Sequence, residues 1–214
     1  MSVSSQNRTA FGEAIGASAA LMTRFDRYRD LLVRWQKKIN LVGTGTLDEI
    51  WSRHFLDSAQ IWPHLPVGAA SLADIGSGAG FPGLVLAVLA SEQGGPAVNL
   101  VESDQRKAAF LREASRVTGA GAAIINARAE EIGEFGADIV TARACAPLTR
   151  LLPWVAALLN EGGTAYLLKG AAWRDELTAA EKDWTMEWAE IPSLTDTSGV
   201  ILKLEGLTKI ERHE

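Results

Sequence analysis

One stretch constrains this chain more than any other: Asp74-Ile75-Gly76-Ser77-Gly78-Ala79-Gly80-Phe81-Pro82-Gly83. It follows a short apolar run at residues 71–75 with strand character. It opens an apolar stretch of helix length at 82–93. Glycines let the backbone bend sharply and approach a ligand with no Cβ in the way. Pro82 suits the first turn of a helix, where its missing N–H costs nothing. A strand that passes through such a turn into a helix starts a strand–helix unit of a mostly parallel sheet.

The rest of the second part repeats that unit. Strands are expected at 98–102, 122–126, 138–142 and 164–169, with late strands at 186–191 and 200–205. Between them lie helices at 104–119, 148–160 and 173–183; the first has Asp104 as N-cap and Gly119 as stop. The reading is an α/β Rossmann-like fold, a mostly parallel seven-stranded sheet with helices on both faces. Ligands in such folds bind at the carboxyl ends of the strands, where the winding reverses. Residues 9–62 read as helical throughout. Leu21, Phe25, Tyr28, Leu32, Trp35 and Ile39 form one stripe at helical spacing. Arg24, Arg27, Arg34, Lys37 and Lys38 lie opposite, and a second helix is expected over 47–62, ending before Pro63. The stripe is too short for a coiled-coil seam and docks on the same molecule's core. The chain therefore divides into an N-terminal helical extension, 1–66, and a ligand-binding core, 67–214.

Composition excludes several classes. Cys145 is the single cysteine of 214 residues, so neither an intramolecular disulfide nor a cysteine-based metal cluster can form within one chain. His54, His64 and His213 are scattered, and no metal site is expected. The first ten residues lack the pattern of a signal peptide. The longest apolar run, 84–90, falls far short of the roughly 20 residues that span a bilayer. A cytoplasmic monomer without membrane contact is the expectation. The net charge of −5 argues against a sequence-blind coat on nucleic acid. That charge is unevenly spread: residues 8–38 carry seven basic and three acidic side chains, whereas 175–190 carry six acids and one lysine.

The glycine loop admits three readings. Gly78-x-Gly80-x-x-Gly83 fits a dinucleotide pyrophosphate at a helix N-terminus. Gly76-x-Gly78-x-Gly80 preceded by Asp74 fits the loop that holds a sulfonium cofactor. The third reading is a purely structural turn. Charge favours the second, because an acid beside the glycines suits the cationic S-adenosylmethionine and opposes a pyrophosphate. Glu102, at the end of the second strand, can accept from ribose hydroxyls in either cofactor class. Asn126-Ala127-Arg128-Ala129-Glu130-Glu131 follows the third strand, where a small residue and an acid can edge an adenine.

Beyond the loop, further marks fall in order: Trp35 with Asn40-Leu41, Arg53-His54-Phe55-Leu56-Asp57-Ser58, Val101-Glu102-Ser103, and Lys107 with Phe110-Leu111. They continue with Arg128-Ala129-Glu130-Glu131, Asp138 with Arg143-Ala144, and Lys169-Gly170. Over residues 31–170 the chain resembles the bacterial small-subunit rRNA guanine-N7 methyltransferases, the glucose-inhibited division protein B family. The resemblance implies a class I methyltransferase fold and transfer of a methyl group from S-adenosylmethionine to N7 of a guanine in 16S rRNA. The implied partner is 16S rRNA or the small ribosomal subunit. It also implies cofactor contacts at Gly76, Phe81, Ala129, Glu130 and Arg143, with Glu102 at the ribose. Val42 and Arg106 stand where the family commonly has threonine and lysine, and the segment from Trp173 onward carries no matching mark.

Guanine N7 has an in-plane lone pair and no proton, so methylating it needs positioning rather than a general base. No catalytic triad is expected. The amine-methylating signature Asp/Asn-Pro-Pro-aromatic is replaced here by Thr141-Ala142-Arg143-Ala144-Cys145-Ala146-Pro147. Cys145 lacks the Pro-Cys context of a cytosine-C5 enzyme and is read as a small buried hydrophobe. Arg143, at a strand end, is the candidate catalytic residue, with an ion pair to Glu130 or Asp74 as the alternative. Cofactor candidates are Asp74, Gly76, Gly78, Phe81, Glu102, Ala129, Glu130 and Arg143. Candidate RNA contacts are Arg128 and Lys169 at strand ends, and Asn40, Arg53 and His54 in a polar cluster with Asp57 that shapes the substrate mouth. The competing functions are an NAD-dependent oxidoreductase using the same loop and a non-catalytic ribosome-binding module.

Overall fold

The computed structural model describes residues 3–211, and His213 lies outside them. Strands β1 (Ser71–Ile75), β2 (Ala97–Val101), β3 (Ala123–Ile125), β4 (Ala137–Arg143), β5 (Leu159–Lys169), β6 (Trp184–Pro192) and β7 (Val200–Lys209) form one sheet. Their order is β3-β2-β1-β4-β5-β7-β6. Pairings among β1 to β5 are parallel, and β7 runs antiparallel to both of its neighbours. The winding reverses between β1 and β4, which sit side by side at the centre.

Helices α1 (Val3–Ala14), α2 (Ala19–Gln36), α3 (Asp57–Ala59), α4 (Gly83–Gln93), α5 (Gln105–Thr118), α6 (Leu148–Leu158) and α7 (Trp173–Ala180) flank the sheet. Alternation along the strands gives each face its own core. Leu72, Leu100, Ile139 and Tyr166 join α4, α5 and the N-terminal helices in one cluster, while Ala73, Ile75, Val140 and Leu167 join α6 and α7 in the other. The stripe on α2 lies in the first cluster, with Phe25, Tyr28 and Leu32 fully buried. Each such side chain contributes about 1.5–3 kcal/mol of burial. Ser18 caps α2 by accepting from the Leu21 amide at 3.0 Å. Gln36 ends it by accepting from the amides of Leu41 and Val42 at 2.9 and 3.0 Å. Asp104 and Gly119 bound α5 as their types predict, the glycine at φ +65°.

Three expectations need correction. The continuous helix over 47–62 is instead a π-helical turn, Trp51–Leu56, running into α3, followed by a 3₁₀ turn that contains Pro63. Two carbonyls of this stretch accept from side chains, His54 O from Ser58 Oγ and Arg53 O from Arg143 Nη1. Strand β5 begins at Leu159 rather than 164, because the Gly162-Gly163 pair bends the strand instead of breaking it. Arg24 is not a solvent-facing cation: its guanidinium donates to the carbonyls of Thr118 and Gly119 and to Ser91, and pairs with Glu92.

Candidate functional site

The site lies where the winding reverses. Strand β1 runs into Gly76 and β4 ends on Arg143, and a crevice of about 1200 Å³ opens between them. Gly76, Gly78, Phe81, Arg143, Cys145 and Lys169 are among its lining. Two other segments close the sides: the π-helical turn with Arg53 and His54, and the β6–β7 connection with Thr195.

The loop's glycines are needed for different reasons. Gly76 has φ +65°, and a Cβ there would stand 2.6 Å from Cys145 Sγ. Gly80, at φ +91°, has no room for a Cβ beside the Tyr28 hydroxyl, which donates to Ala79 O at 2.5 Å. A Cβ on Gly83 would meet the Asp74 side chain at 2.5 Å. Gly78, at φ +57°, is different: the nearest atom to its Cβ would be Gly76 O at 3.7 Å, so the space in front of it is open.

Glu102 is buried, and its carboxylate spans two backbone amides, Gly78 N at 2.8 Å and Asp104 N at 2.7 Å. It thus couples the end of β2 to the loop. Asp74 lies beneath the loop rather than in the crevice, fully buried between Thr141 Oγ1 at 2.7 Å and the start of α4. Its Oδ2 lacks a hydrogen bond of regular geometry. Burial pushes this carboxyl up to about 6, against the opposing pull of Thr141, Ser77 and the Gly83 amide. The expectation of a direct cofactor contact at Asp74 is corrected to support of the loop from below.

Arg143 crosses the crevice with three hydrogen bonds. Its Nη1 donates to Asp57 Oδ2 at 2.8 Å and to Arg53 O at 3.0 Å, and its Nη2 donates to His54 Nδ1 at 2.9 Å. The guanidinium also lies 5.0 Å over the Phe81 ring. The ion pair goes to neither Glu130 nor Asp74, because the π-helical turn brings Asp57 across to β4. Phe81 is stacked between Tyr28 and His54, at 5.6 and 4.9 Å. An arginine can only donate, so His54 Nδ1 is the acceptor and the ring's proton sits on Nε2, facing Thr46 Oγ1 at 2.8 Å. Burial, with Arg143 and Arg53 adding, lowers the His54 pKa to about 3. The imidazole is neutral and its free lone pair is taken, so it is not a base.

The depressed pKa has a measurable effect on stability. Because 3 lies below the ordinary value of 6.5, the unfolded chain binds His54's extra proton across that window. Stability from this group is complete above pH 6.5 and is lost as pH falls toward 3. Nitrogen-15 NMR should find His54 as the Nε2–H tautomer with no protonation step near pH 6. A titration there would show that the Arg143 contact is not formed.

Lys169 is not a free cation. Its side chain is 9% exposed and its ammonium donates to Ala146 O at 2.7 Å and Glu176 Oε2 at 2.8 Å. It ties β5 to the loop after β4 and to α7. Lys169→Ala should cost about 1–3 kcal/mol of stability in chemical denaturation. If the variant instead unfolds like the parent protein, the tie is unimportant. Arg53 is exposed at the rim, paired loosely with Glu49 at 3.7 Å. Asn40 is exposed and held by Gln36, just short of the crevice lining, which starts at Leu41. Arg128, Ala129 and Glu130 stand at the 3₁₀ turn after β3, outside the lining, with Glu130 3.9 Å from Arg150. Cys145 is exposed as a residue rather than buried, but its Sγ turns in against Gly76, and the desolvation of that sulfur, with the charges of Asp74 and Glu102, pushes the thiol pKa up, so it is no thiolate. The residues that sequence reasoning missed are Thr46 and Thr195. Thr195 Oγ1 donates to Asp57 Oδ1 at 2.6 Å across 138 residues, a pairing that no local pattern signals. No group of three or more metal-ligating side chains occurs among the described residues.

Comparison with known proteins places this geometry. Solved methyltransferases share the fold at low identity. A TehB-like SAM-dependent methyltransferase from Corynebacterium glutamicum superposes with a TM-score of 0.56 at 17% identity, covering 84% of this chain and 98% of that one. A ribosomal protein L11 methylase from Lactobacillus delbrueckii subsp. bulgaricus gives 0.56 at 18%, covering 69% and 75%. Sequence relatives are much nearer. Ribosomal RNA small subunit methyltransferase G of Paramagnetospirillum magneticum is 53% identical over 194 residues, 91% of this chain and 93% of the relative. Its counterpart in Rhodospirillum centenum is 52% identical, covering 92% and 89%. The family model for rRNA small subunit methyltransferase G matches residues 21–202, a span that takes in the glycine loop, the Asp57–Arg143 pair and Thr195. With a class I methyltransferase fold, relatives at this identity and a family match over most of its length, the chain belongs to the rRNA small subunit methyltransferase G family.

Proposed function

We propose that this protein transfers a methyl group from S-adenosylmethionine to N7 of a guanine in 16S rRNA. The observation that carries the reading is the state of the polar side chains at the reversal point. His54 is neutral with its lone pair engaged, the Cys145 thiol is pushed away from thiolate, and Arg143 is held in a fixed pose. A crevice of that kind suits a nucleophile that carries no proton and needs none removed. It suits neither a cytosine-C5 enzyme nor a hydride-transfer site, and family membership also weighs against the NAD-dependent reading.

The residues present fit the cofactor. Bound in the crevice, S-adenosylmethionine would supply an electrophilic methyl group on a sulfonium. Gly76, Gly78 and Phe81 would wall its pocket, with open space in front of Gly78. Glu102 keeps carboxylate lone pairs free for ribose hydroxyls after binding its two amides. Ala129 and Glu130 would stand on the adenine side. Arg143 uses three of its five N–H groups on Asp57, Arg53 and His54, leaving two to orient the guanine, for instance at O6. Methylation puts positive charge on the purine ring, which a bare arginine would oppose. The Asp57 partner neutralises that charge and leaves the directional donors. Arg53 at the rim and Arg128 beyond β3 are exposed and can meet phosphates.

The test is transfer of a tritiated methyl group from S-adenosylmethionine into small ribosomal subunits and, in parallel, into naked 16S rRNA, followed by mapping of the modified base. Incorporation at a guanine N7 is the expected result. No incorporation into either, with the cofactor still bound, would leave a non-catalytic ribosome-binding module.

A further inference from the structure

We propose that the outer face of α2 and α5 is a docking track for the phosphate backbone of the RNA that flanks the target nucleotide. The proposal rests on the methyltransferase reading and adds to it a surface remote from the reacting atoms. The whole chain is acidic, at −5, yet these two helices carry eight basic and three acidic side chains. Lys37 and Lys38 extend the basic run past the end of α2. A groove of about 1400 Å³ runs along this face, lined by four arginines, Arg27 and Arg34 among them, and by the acids Asp30, Asp48 and Glu49, over an apolar floor that includes Leu47 and Val117.

Three observations point to RNA as the occupant. Arg27 and Arg34 are exposed, and no ion pair involving either occurs among the described residues. Arg24 on the same helix is by contrast consumed in holding α5 and α4, so the two roles are separated along one helix. Next, the face is stiff: Trp35 meets Phe110 edge-on at 5.7 Å, and Tyr28 packs on the same ring at 6.4 Å. Arg27 and Arg34 are seven residues apart, two helical turns or roughly 10 Å, far enough to meet separate phosphates along a strand. Last, Glu49 lines both this groove and the catalytic crevice, so the two adjoin. A strand with one base lodged in the crevice continues directly onto the arginines. Phosphate contacts position a nucleic acid without reading its sequence. This face would therefore supply affinity and register, while the crevice supplies choice of base.

The experiment compares the parent protein with the R27A/R34A double variant and with Arg174→Ala, which removes a cation on α7 near the opposite edge of the sheet. Both arginines are exposed, and thermal unfolding checks that the double variant keeps its fold. Methyl transfer to small ribosomal subunits and direct binding of 16S rRNA are each followed across a salt series. For the double variant, the KM for the RNA substrate should rise about tenfold or more, and the slope of log affinity against log salt should fall by about two, since each lost phosphate contact removes roughly one. The kcat at saturating RNA and the calorimetric affinity for S-adenosylmethionine should not move, and Arg174→Ala should leave the slope as it was. A double variant with unchanged RNA affinity and salt slope would overturn the docking track, and would point to an acidic protein partner for this face instead. The binding arm keeps the two readings apart: a parent protein that binds rRNA with the expected slope but methylates nothing sinks the activity and leaves the track standing.

Discussion

Gly78→Ala should leave the fold nearly intact and still remove most of the affinity for S-adenosylmethionine, whereas Gly76→Val should damage both. The two positions lie two residues apart with nearly equal backbone angles, φ +57° and +65°. An L residue in that region costs about 1–2 kcal/mol, which a protein of this size tolerates. What differs is the space around the added Cβ. At Gly78 the nearest atom would be 3.7 Å away, and the methyl group would occupy only the volume reserved for ligand. At Gly76 the Cβ would press on Cys145 Sγ at 2.6 Å, and a branched side chain adds its own strain. A total of about 3–5 kcal/mol is expected there, or a fall in Tm of roughly 6–20 °C. Calorimetry and thermal unfolding on both variants separate the cases. Cys145→Ala in the Gly76→Val background should recover part of the stability, because the remaining Cβ contact is 3.3 Å, but should recover little cofactor binding. If Gly78→Ala binds the cofactor as tightly as the parent protein, the ligand does not lie against this loop.

The second large effect is expected at Arg143. Arg143→Ala should lower kcat by about 10²–10³, because the donors that orient the base are lost and with them the connection between the π-helical turn and β4. The Arg143 and Asp57 side chains are only 18% and 16% exposed, so deletion also leaves a poorly solvated carboxylate. A stability loss of about 2–4 kcal/mol should accompany it. Arg143→Lys separates the two consequences. A lysine can still neutralise Asp57, but it cannot serve Asp57, Arg53 O and His54 at once and keep donors over. Stability should largely return while kcat stays low. A lysine variant with the parent kcat would reduce Arg143 to a structural cation.

Much of this was legible in the sequence where the signal is local. The strand–loop–helix around Gly76 to Gly83, the cap at Asp104 and the stop at Gly119 follow from backbone chemistry within a few residues. The stripe from Leu21 to Ile39 marks both the helix and its buried face. The misreadings share another cause, side chains whose partners lie far along the chain. Lys169 reads as a surface cation until Glu176 and Ala146 are placed beside it, and Arg24 until Thr118 and Glu92 are. The helix expected over 47–62 has helical residues throughout, but the Arg53 carbonyl is claimed by Arg143, 90 residues further on. Taking Gly162-Gly163 as a strand boundary fails on the same ground, since pairing with β4 on either side holds that segment in the sheet.

The contact between Asp57 and Thr195 also bears on how the protein is made. A growing chain acquires His54 and Asp57 first, the glycine loop next and Arg143 after that. A further partner of Asp57, Thr195, is contributed by the β6–β7 connection, 138 residues along the chain and well after Arg143. A nascent chain long enough to hold the loop and Arg143 therefore still lacks one wall of its crevice.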